Sequence, residues 1–335
     1  MATRLPSGAY RSLVYVGKDE KGNRKYKSFT GDTANAADLK ALQYKARISP
    51  SSTPNKSFLQ CSDEFLKLNT KTLSITTQRG YLSIHRTLSK DYKTFAKMNI
   101  NAIDQKSLQK FLNTLSSDHS AKTVRNYYGY ICRVLRYCKI EPPRCNLPQR
   151  KRPSLNIPDE TTVHEVFQIV KGTDLEVPVL LAALVPMRRG EICGAKLEDL
   201  DGNILHIHRS IAIGDKGITQ EKPPKTDSSD RYVVLPDSVA DLIRQQGYIC
   251  NISVKALSKR FSETLKRAGI EHFRFHDLRH AFVSIAHAAN VPDAYIMARG
   301  GWSTSYTVNN VYRHVLDSDR QKNEQTVNDT FKKLL

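Results

Sequence analysis

The 335-residue chain lacks the features that would place it in or across a membrane. No run of eighteen apolar residues occurs, whereas a membrane-spanning helix needs about 20. The first residues, MATRLPSGAYRS, contain no apolar segment of the kind that begins a secretory signal. We therefore expect a cytoplasmic protein that acts without a membrane partner.

Paired cysteine motifs are also missing. The chain has six cysteines, and none of them forms a CxxC motif of the kind used by redox enzymes and zinc sites. Most of them stand in apolar or helical contexts, which is typical of reduced thiols in a cytosolic protein. They are Cys61, Cys132, Cys138, Cys145, Cys193 and Cys250.

Acidic residues are scarce in the first part of the chain. Residues 1–150 hold 27 Lys or Arg and only 10 Asp or Glu, whereas residues 151–335 hold 25 and 23. The formal net charge of +19 is therefore concentrated in the first 150 residues. Such a basic region favours a polyanionic partner, most often nucleic acid, over an anionic membrane, because no basic amphipathic anchor is present. A merely solvated basic surface remains the alternative.

Residues 1–50 predict a small sheet of about three strands with one helix. Residues 8–30 alternate in the manner of strands, and KDEKGN is a turn signal between two of them. Residues 33–48, rich in Ala and Lys, predict a helix. The sequence SPSSTPNK that follows is typical of a linker.

Residues 57–140 predict a bundle of four amphipathic helices. Phe58, Cys61, Phe65 and Leu68 form one apolar stripe, and Ser74, Asp104 and Ser120 can cap later helices. The proline-rich sequence EPPRCNLPQRKRPS is a second linker, and the charge balance changes after it. We expect a third domain over 155–335, and a multidomain fold that is mainly α with small β elements. An apolar helix is expected over 176–187, followed by a new amphipathic helix.

The stretch FRFHDLRHAF, residues 273–282, places His276, Arg279 and His280 within about one helical turn, between aromatic residues. His276 and His280 have the spacing of zinc ligands on one helix face, one residue away from the HExxH pattern of zinc hydrolases. Alternatively, His276 and Arg279 lie one turn apart because both reach one phosphate. An ordinary packed histidine beside a surface arginine is the third interpretation.

Three further segments carry unusual polar residues in this half of the chain. PMRRGEICGAKLEDLD places Arg188 after the apolar helix, with Glu191 able to orient it. PPKTDSSDRYVVLP places Lys225 in a turn between strands, and RGGWSTSYTVNNVYRHV contains Trp302 and Tyr312. Each feature alone is ordinary, but their order along the chain is specific.

This order resembles the tyrosine recombinase (phage integrase) family, and the first fifty residues resemble the arm-type domain of phage and conjugative-transposon integrases. The resemblance implies an arm-type DNA-binding domain over 1–50, a helical, SAM-like core-binding domain over 57–140 and an α+β catalytic domain over 155–335. It also implies six catalytic residues, in which Trp302 stands where many members have histidine: Arg188, Lys225, His276, Arg279, Trp302 and the nucleophile Tyr312.

The implied chemistry is site-specific recombination. Tyr312 would attack a DNA phosphodiester to give a 3′-phosphotyrosine and a free 5′-hydroxyl. Arg188 and Arg279 would clamp the non-bridging oxygens, and Lys225 would protonate the leaving oxygen. His276 would move a proton or bond the phosphate, and the Trp302 indole can only donate. No step requires a metal or a cofactor.

The implied partners are double-stranded DNA with core and arm sites, three further copies of the chain in a homotetramer, and DNA-bending or excision accessory proteins. The implied role is to integrate or excise a mobile element. A type IB topoisomerase-like nicking and resealing enzyme, a zinc hydrolase using HDLRH and a catalytically silent DNA-binding relative remain alternatives.

Overall fold

The computed structural model describes residues 2–18, 23–48, 55–150, 156–223, 227–306, 308–309 and 332. It divides into two compact units, one of residues 1–67 and 85–149 and the other of residues 68–84 and 150–335. The described part is mainly helical with small antiparallel sheets, as the sequence predicted. Within these ranges no helix is both long enough and apolar enough to cross a bilayer.

The first unit begins with an antiparallel sheet in the order β1 (Thr3–Arg4), β2 (Tyr10–Lys18) and β3 (Arg24–Gly31). Helix α1 (Ala34–Ile48) packs on one face of it, so the predicted three strands and one helix are confirmed. Val14 points into this contact while Leu13 on the opposite face is exposed, as strand alternation requires. Most of the predicted KDEKGN turn lies outside the described residues.

Five helices follow in residues 58–137. They are α2 (Phe58–Asn69), α3 (Ile75–Asp91), α4 (Lys93–Ala96), α5 (Gln105–Asp118) and α6 (Ala121–Tyr137). The four predicted helices are present, and the single turn α4 was not predicted.

Side-chain caps fix the starts of these helices. The backbone N–H of Ser107 donates to Asp104 Oδ1 at 2.8 Å, and that of Thr123 donates to Ser120 Oγ at 3.3 Å. Each bond satisfies an N–H group that has no partner within its own helix. The apolar stripe of α2 is confirmed except at Leu68, which is exposed in the last turn of that helix.

Among its described residues after 156, the second unit contains two sheets, seven α-helices and three short 3-10 helices, and residues 305–306 and 308–309 are also helical. The sheets are β4 (Leu200–Asp201), β5 (Ile204–Ile207) and β8 (Arg231–Val234) in the order β4-β5-β8, and the pair β6 (Ser210–Ile213) and β7 (Thr219–Lys222). The helices are α7 (Glu160–Val170), α8 (Glu176–Leu184), α9 (Arg189–Ile192), α10 (Asp237–Gln246), α11 (Val254–Ala268), α12 (Asp277–Ala288) and α13 (Asp293–Gly300).

Helix α8 is the buried centre of this unit, and its end positions the polar residues that follow. The prediction that it extends to Met187 is wrong, because the helix ends at Leu184. Pro186 has no N–H and disfavours a helical conformation in the residue before it. The predicted amphipathic helix after it is only the four residues of α9. Arg188 therefore lies in the non-helical segment between the two helices.

Close packing against β6 holds α9 in place. A Cβ atom added at Gly190 would lie 2.6 Å from Ser210 Oγ and 2.7 Å from the carbonyl oxygen of Ile211. A Cβ added at Gly194 would lie 3.2 Å from the Cα of Ser210. The segment that carries Arg188 and Glu191 therefore lies directly on the backbone of β6.

We expect Gly190→Ala to lower the free energy of unfolding by about 1–3 kcal/mol, the usual cost of forcing a methyl group into a filled space. Gly129→Ala is the control, because Gly129 lies inside α6 with nothing within 4 Å of its added Cβ. That change should stabilise the protein by about 0.5–1 kcal/mol through helix propensity. Denaturant unfolding measures both, and equal effects would contradict the packing argument.

Candidate active site

Arg188 begins the site, and three segments of the second unit fix its position. Its backbone N–H donates to Glu191 Oε2 at 2.9 Å, and its Nη1 donates to Glu191 Oε1 at 2.5 Å. Nη1 also donates to Ser229 Oγ at 3.1 Å, and Nη2 donates to the carbonyl oxygen of Gly301 at 2.9 Å. The prediction that Glu191 orients Arg188 agrees with this geometry. The guanidinium still has one open side, because 39% of the side chain is exposed.

Arg231, at the start of β8, shares the same carboxylate and was missed from the sequence. Its Nη2 donates to Glu191 Oε2 at 3.1 Å, and its Nε donates to the carbonyl oxygen of Arg299 at 2.9 Å. Burial raises the pKa of Glu191, but Arg231 and Arg188 outweigh burial and hold it below its usual range. Strand alternation could have revealed Arg231, because it falls on the buried face together with Val233.

Arg279 lies beneath Trp302 and is almost completely buried. Its guanidinium carbon is 3.9 Å from the centre of the Trp302 ring, and its Nη1 donates to the carbonyl oxygen of Pro186. Its buried Nη2 has no hydrogen-bond partner within the part of the chain that the structure describes. Burial and the positive charge of Arg188 lower the pKa of Arg279. An anion would relieve both penalties, because it would accept a bond and offset the charge.

His276 is the residue immediately before α12. Desolvation of its ring by the surrounding protein, with the neighbouring His280 and Arg279, lowers its pKa to about 4, although the residue keeps an exposed surface. The ring is therefore neutral near pH 7 and can accept a proton. His280 packs inward with its ring centre 5.1 Å from that of His276.

A pocket of about 600 Å³ opens beside these residues in the second unit. Arg188 and His276 line it, and Phe273 and Phe275 contribute to its wall. Further cationic side chains that sequence reasoning did not single out also line it: Arg189, Lys222 and Arg274. The pocket is thus suited to a polyanionic ligand.

The structure brings four of the six predicted residues together. Arg188 bonds the carbonyl oxygen of Gly301, the residue before Trp302. Arg279 contacts the Trp302 ring and is close enough to Arg188 for the charge of Arg188 to lower its pKa. His276 borders the same cluster. Lys225 and Tyr312 lie outside the described residues, so their positions remain predictions.

The zinc interpretation of HDLRH finds no ligand set here. Across the described ranges, no group of three or more His, Cys, Asp or Glu side chains is arranged to hold a metal ion. The buried guanidinium of Arg279 lies on the same turn as the two histidines, and its charge would repel a cation.

We expect the His276 ring to stay neutral between pH 7 and pH 5 in the DNA-free protein. Because its folded pKa is lowered from 6.5 to about 4, its contribution to stability is complete above pH 6.5 and is lost as the pH falls towards 4. NMR titration of the imidazole measures the pKa, with His276→Gln identifying the signal. A midpoint at or above 6.5 would contradict the geometry.

Comparisons with known proteins identify DNA recombinases and integrases as similar to this chain. Residues 173–319 match the Phage integrase family. A tyrosine recombinase XerC-like protein of Caldanaerobacter subterraneus subsp. tengcongensis is 23% identical, with 96% of each chain covered. The Tn1549 transposon integrase in complex with a circular intermediate DNA has the same fold, with a TM-score of 0.65, 14% identity, and coverage of 81% of this chain and 99% of that one.

A lambda integrase tetramer bound to a Holliday junction also shares the fold, with a TM-score of 0.57, 15% identity, and coverage of 90% of this chain and 95% of that one. The matched segment 173–319 contains Arg188, His276, Arg279 and Trp302, which the structure brings together. Residues 173–319 thus match the family of the phage integrases, and 96% of the chain is similar to a tyrosine recombinase XerC-like protein.

Proposed function

We propose that this protein is an integrase, a site-specific DNA recombinase that cleaves and rejoins DNA through a 3′-phosphotyrosine intermediate to integrate or excise a mobile element. The observation that carries the proposal is the buried Nη2 of Arg279, which has no hydrogen-bond partner among the described residues and lies near Arg188. A scissile phosphate bound there would accept bonds from both guanidiniums. Charge-assisted bonds of this kind stabilise the negative charge that develops during phosphoryl transfer.

The charge balance of the cluster supports a phosphate as the ligand. Arg188, Arg231 and Arg279 contribute three positive charges, and Glu191 contributes one negative charge. The resulting net charge of +2 lies where the non-bridging oxygens gain charge in the transition state. Positioning and electrostatic stabilisation account for most of the catalysis of phosphoryl transfer, so this cluster can act without a metal ion.

The remaining catalytic roles follow the family pattern. Tyr312 is the nucleophile, and Lys225 protonates the 5′-oxygen as it leaves. His276, neutral near pH 7, accepts a proton or bonds the phosphate. The Trp302 indole N–H donates to a phosphate oxygen and cannot act as a base.

Two further segments bind DNA outside the cleavage site. Residues 1–50 form the arm-type domain, since the sheet face opposite α1 exposes Leu13, Tyr15 and Tyr26. An exposed apolar and aromatic face on a basic sheet suits insertion into a DNA groove better than a solvated role. Residues 57–140 form the core-binding domain, and 155–335 the catalytic domain.

The functional assembly is a homotetramer on DNA, assisted by DNA-bending or excision accessory proteins, in the cytoplasm of a bacterial cell. Lambda integrase as a tetramer on a Holliday junction provides a precedent in the same fold. A type IB topoisomerase-like enzyme would use the same tyrosine and arginine chemistry. The arm-type segment favours recombination, because relaxation alone has no evident need for a second DNA-reading domain.

We expect Tyr312→Phe to abolish the covalent protein–DNA adduct while leaving DNA affinity nearly unchanged, because only the nucleophilic hydroxyl is lost. The substrate is a nicked, labelled duplex carrying a core site that the protein itself selects from random DNA, and the adduct is resolved on a denaturing gel. Tyr306→Phe is the matched control, since Tyr306 is exposed nearby. An adduct that persists in Tyr312→Phe would overturn the assignment of the nucleophile.

We expect deletion of residues 1–50 to weaken binding to arm sites and to reduce integration, while cleavage at core sites is retained. The full-length double variant Tyr15→Ser/Tyr26→Ser should show the same pattern, because both rings are exposed and little stability should be lost. Gel shifts on separately selected arm and core duplexes measure the two affinities. Equal binding of every duplex by all three proteins would contradict the arm-domain assignment.

A further inference from the structure

We infer that Arg231 is a positioning residue for the cleavage step, which keeps the charge and the open donors of Arg188 available to the scissile phosphate. The inference rests on the proposed function, in which Arg188 binds that phosphate. Arg231 does not itself reach the ligand side of the site. Its side chain is only 6% exposed, against 39% for Arg188.

The guanidinium of Arg231 connects the segments that hold Arg188. Nη2 bonds Glu191, Nη1 donates to the carbonyl oxygen of Ser229 at 3.1 Å, and Nε bonds the carbonyl oxygen of Arg299. Ser229 and the 299–301 turn are the two places, besides Glu191, where Arg188 is bonded. Within the described part of the chain, each hydrogen bond of the Arg188 guanidinium therefore goes to a segment that Arg231 also binds.

The fit around Arg231 is close on the side of the 299–301 turn. Gly301 has a backbone φ of +66°, and a Cβ added there would lie 3.0 Å from Arg231 Nη1. The planar guanidinium of Arg231 fills this space and still donates to three acceptors, on Glu191, Ser229 and Arg299. A lysine would keep the charge and lose the planar guanidinium.

Arg231 also affects the charge of the site, because it shares the Glu191 carboxylate with Arg188. Both arginines hold the buried Glu191 carboxylate ionised: Arg231 through its charge, and Arg188 through its charge and two hydrogen bonds, which lower the pKa of Glu191. With Arg231 removed, Arg188 alone would neutralise Glu191 and would be drawn towards it. The positive charge that Arg188 offers to a phosphate would fall, although Arg188 itself is unchanged.

The experiment compares Arg231→Gln and Arg231→Lys with the full-length wild-type protein on a nicked core-site duplex under single-turnover conditions. Arg231→Gln should slow cleavage by roughly 10- to 100-fold, with core-site affinity changed less than the rate. The cleavage rate of Arg231→Lys should lie between those of wild type and Arg231→Gln. Arg209→Lys is the matched control, because Arg209 is a half-buried arginine whose ion pairs are with Glu198 and Asp199.

A neutral substrate separates positioning from loss of fold. When the scissile phosphate is replaced by a methylphosphonate, each stereoisomer measured separately, less negative charge develops and less cationic stabilisation is needed. Relative to wild type, Arg231→Gln should then lose less cleavage rate on methylphosphonate than on phosphate. Arg188→Ala should show a difference in the same direction. The double variant Arg231→Gln/Glu191→Gln should cleave phosphate faster than Arg231→Gln alone, because Arg188 is no longer drawn to an unshared carboxylate.

The outcomes are distinct. Wild-type cleavage rates in both Arg231 variants would overturn the inference alone. A second result would also overturn the inference. If Arg231→Gln lowers the cleavage rate by the same factor on both substrates, and lowers the thermal unfolding temperature as Arg209→Lys does, Arg231 has only a structural role. If Arg231→Gln does not fold, the same test is made with Arg231→Lys, by comparing its loss of cleavage rate on phosphate with its loss on methylphosphonate. A wild-type protein that forms no adduct on any selected duplex would instead overturn the proposed function.

Discussion

The buried carboxylate of Glu191, shared between Arg188 and Arg231, is the interaction on which the site depends. A lone buried carboxylate would be strongly disfavoured, so its position requires both guanidiniums. Its two oxygens accept from the start of α9 and from the start of β8, which are far apart in sequence. The same guanidiniums bond the 299–301 turn that leads to Trp302. One carboxylate thus fixes the geometry of three segments.

The cluster keeps a net positive charge, and this charge lies where a bound phosphate would contact it. Arg279 is held under Trp302 with a donor that no described residue accepts from, near a carboxylate that two other arginines already share. The basic excess of residues 1–150 acts differently, through solvent, and is screened beyond about 10 Å at 0.1 M salt. It can attract DNA to the protein, whereas the buried cluster can only act on a phosphate in contact with it.

Much of the fold was predictable because it depends on local chemistry. Asp104 and Ser120 cap helices where a short oxygen-bearing side chain precedes an apolar pattern, and the sheet before α1 follows from alternation. The errors occurred where tertiary packing or backbone restriction prevailed. Helix α8 stops before Pro186, and α9 is only one turn long where Gly190 and Gly194 meet β6. These contacts join residues that no local pattern connects.

The sequence by itself determined which chemical groups the site contains and in what order: Arg188, His276, Arg279 and Trp302 were all chosen from motifs. Only the tertiary structure decided that Arg231 shares Glu191, that Trp302 covers Arg279, and that His276 is held neutral. The physical reason is that burial and charge compensation depend on distances between distant segments. A motif fixes the identity of a cation, and the fold decides how much of its charge remains for a ligand.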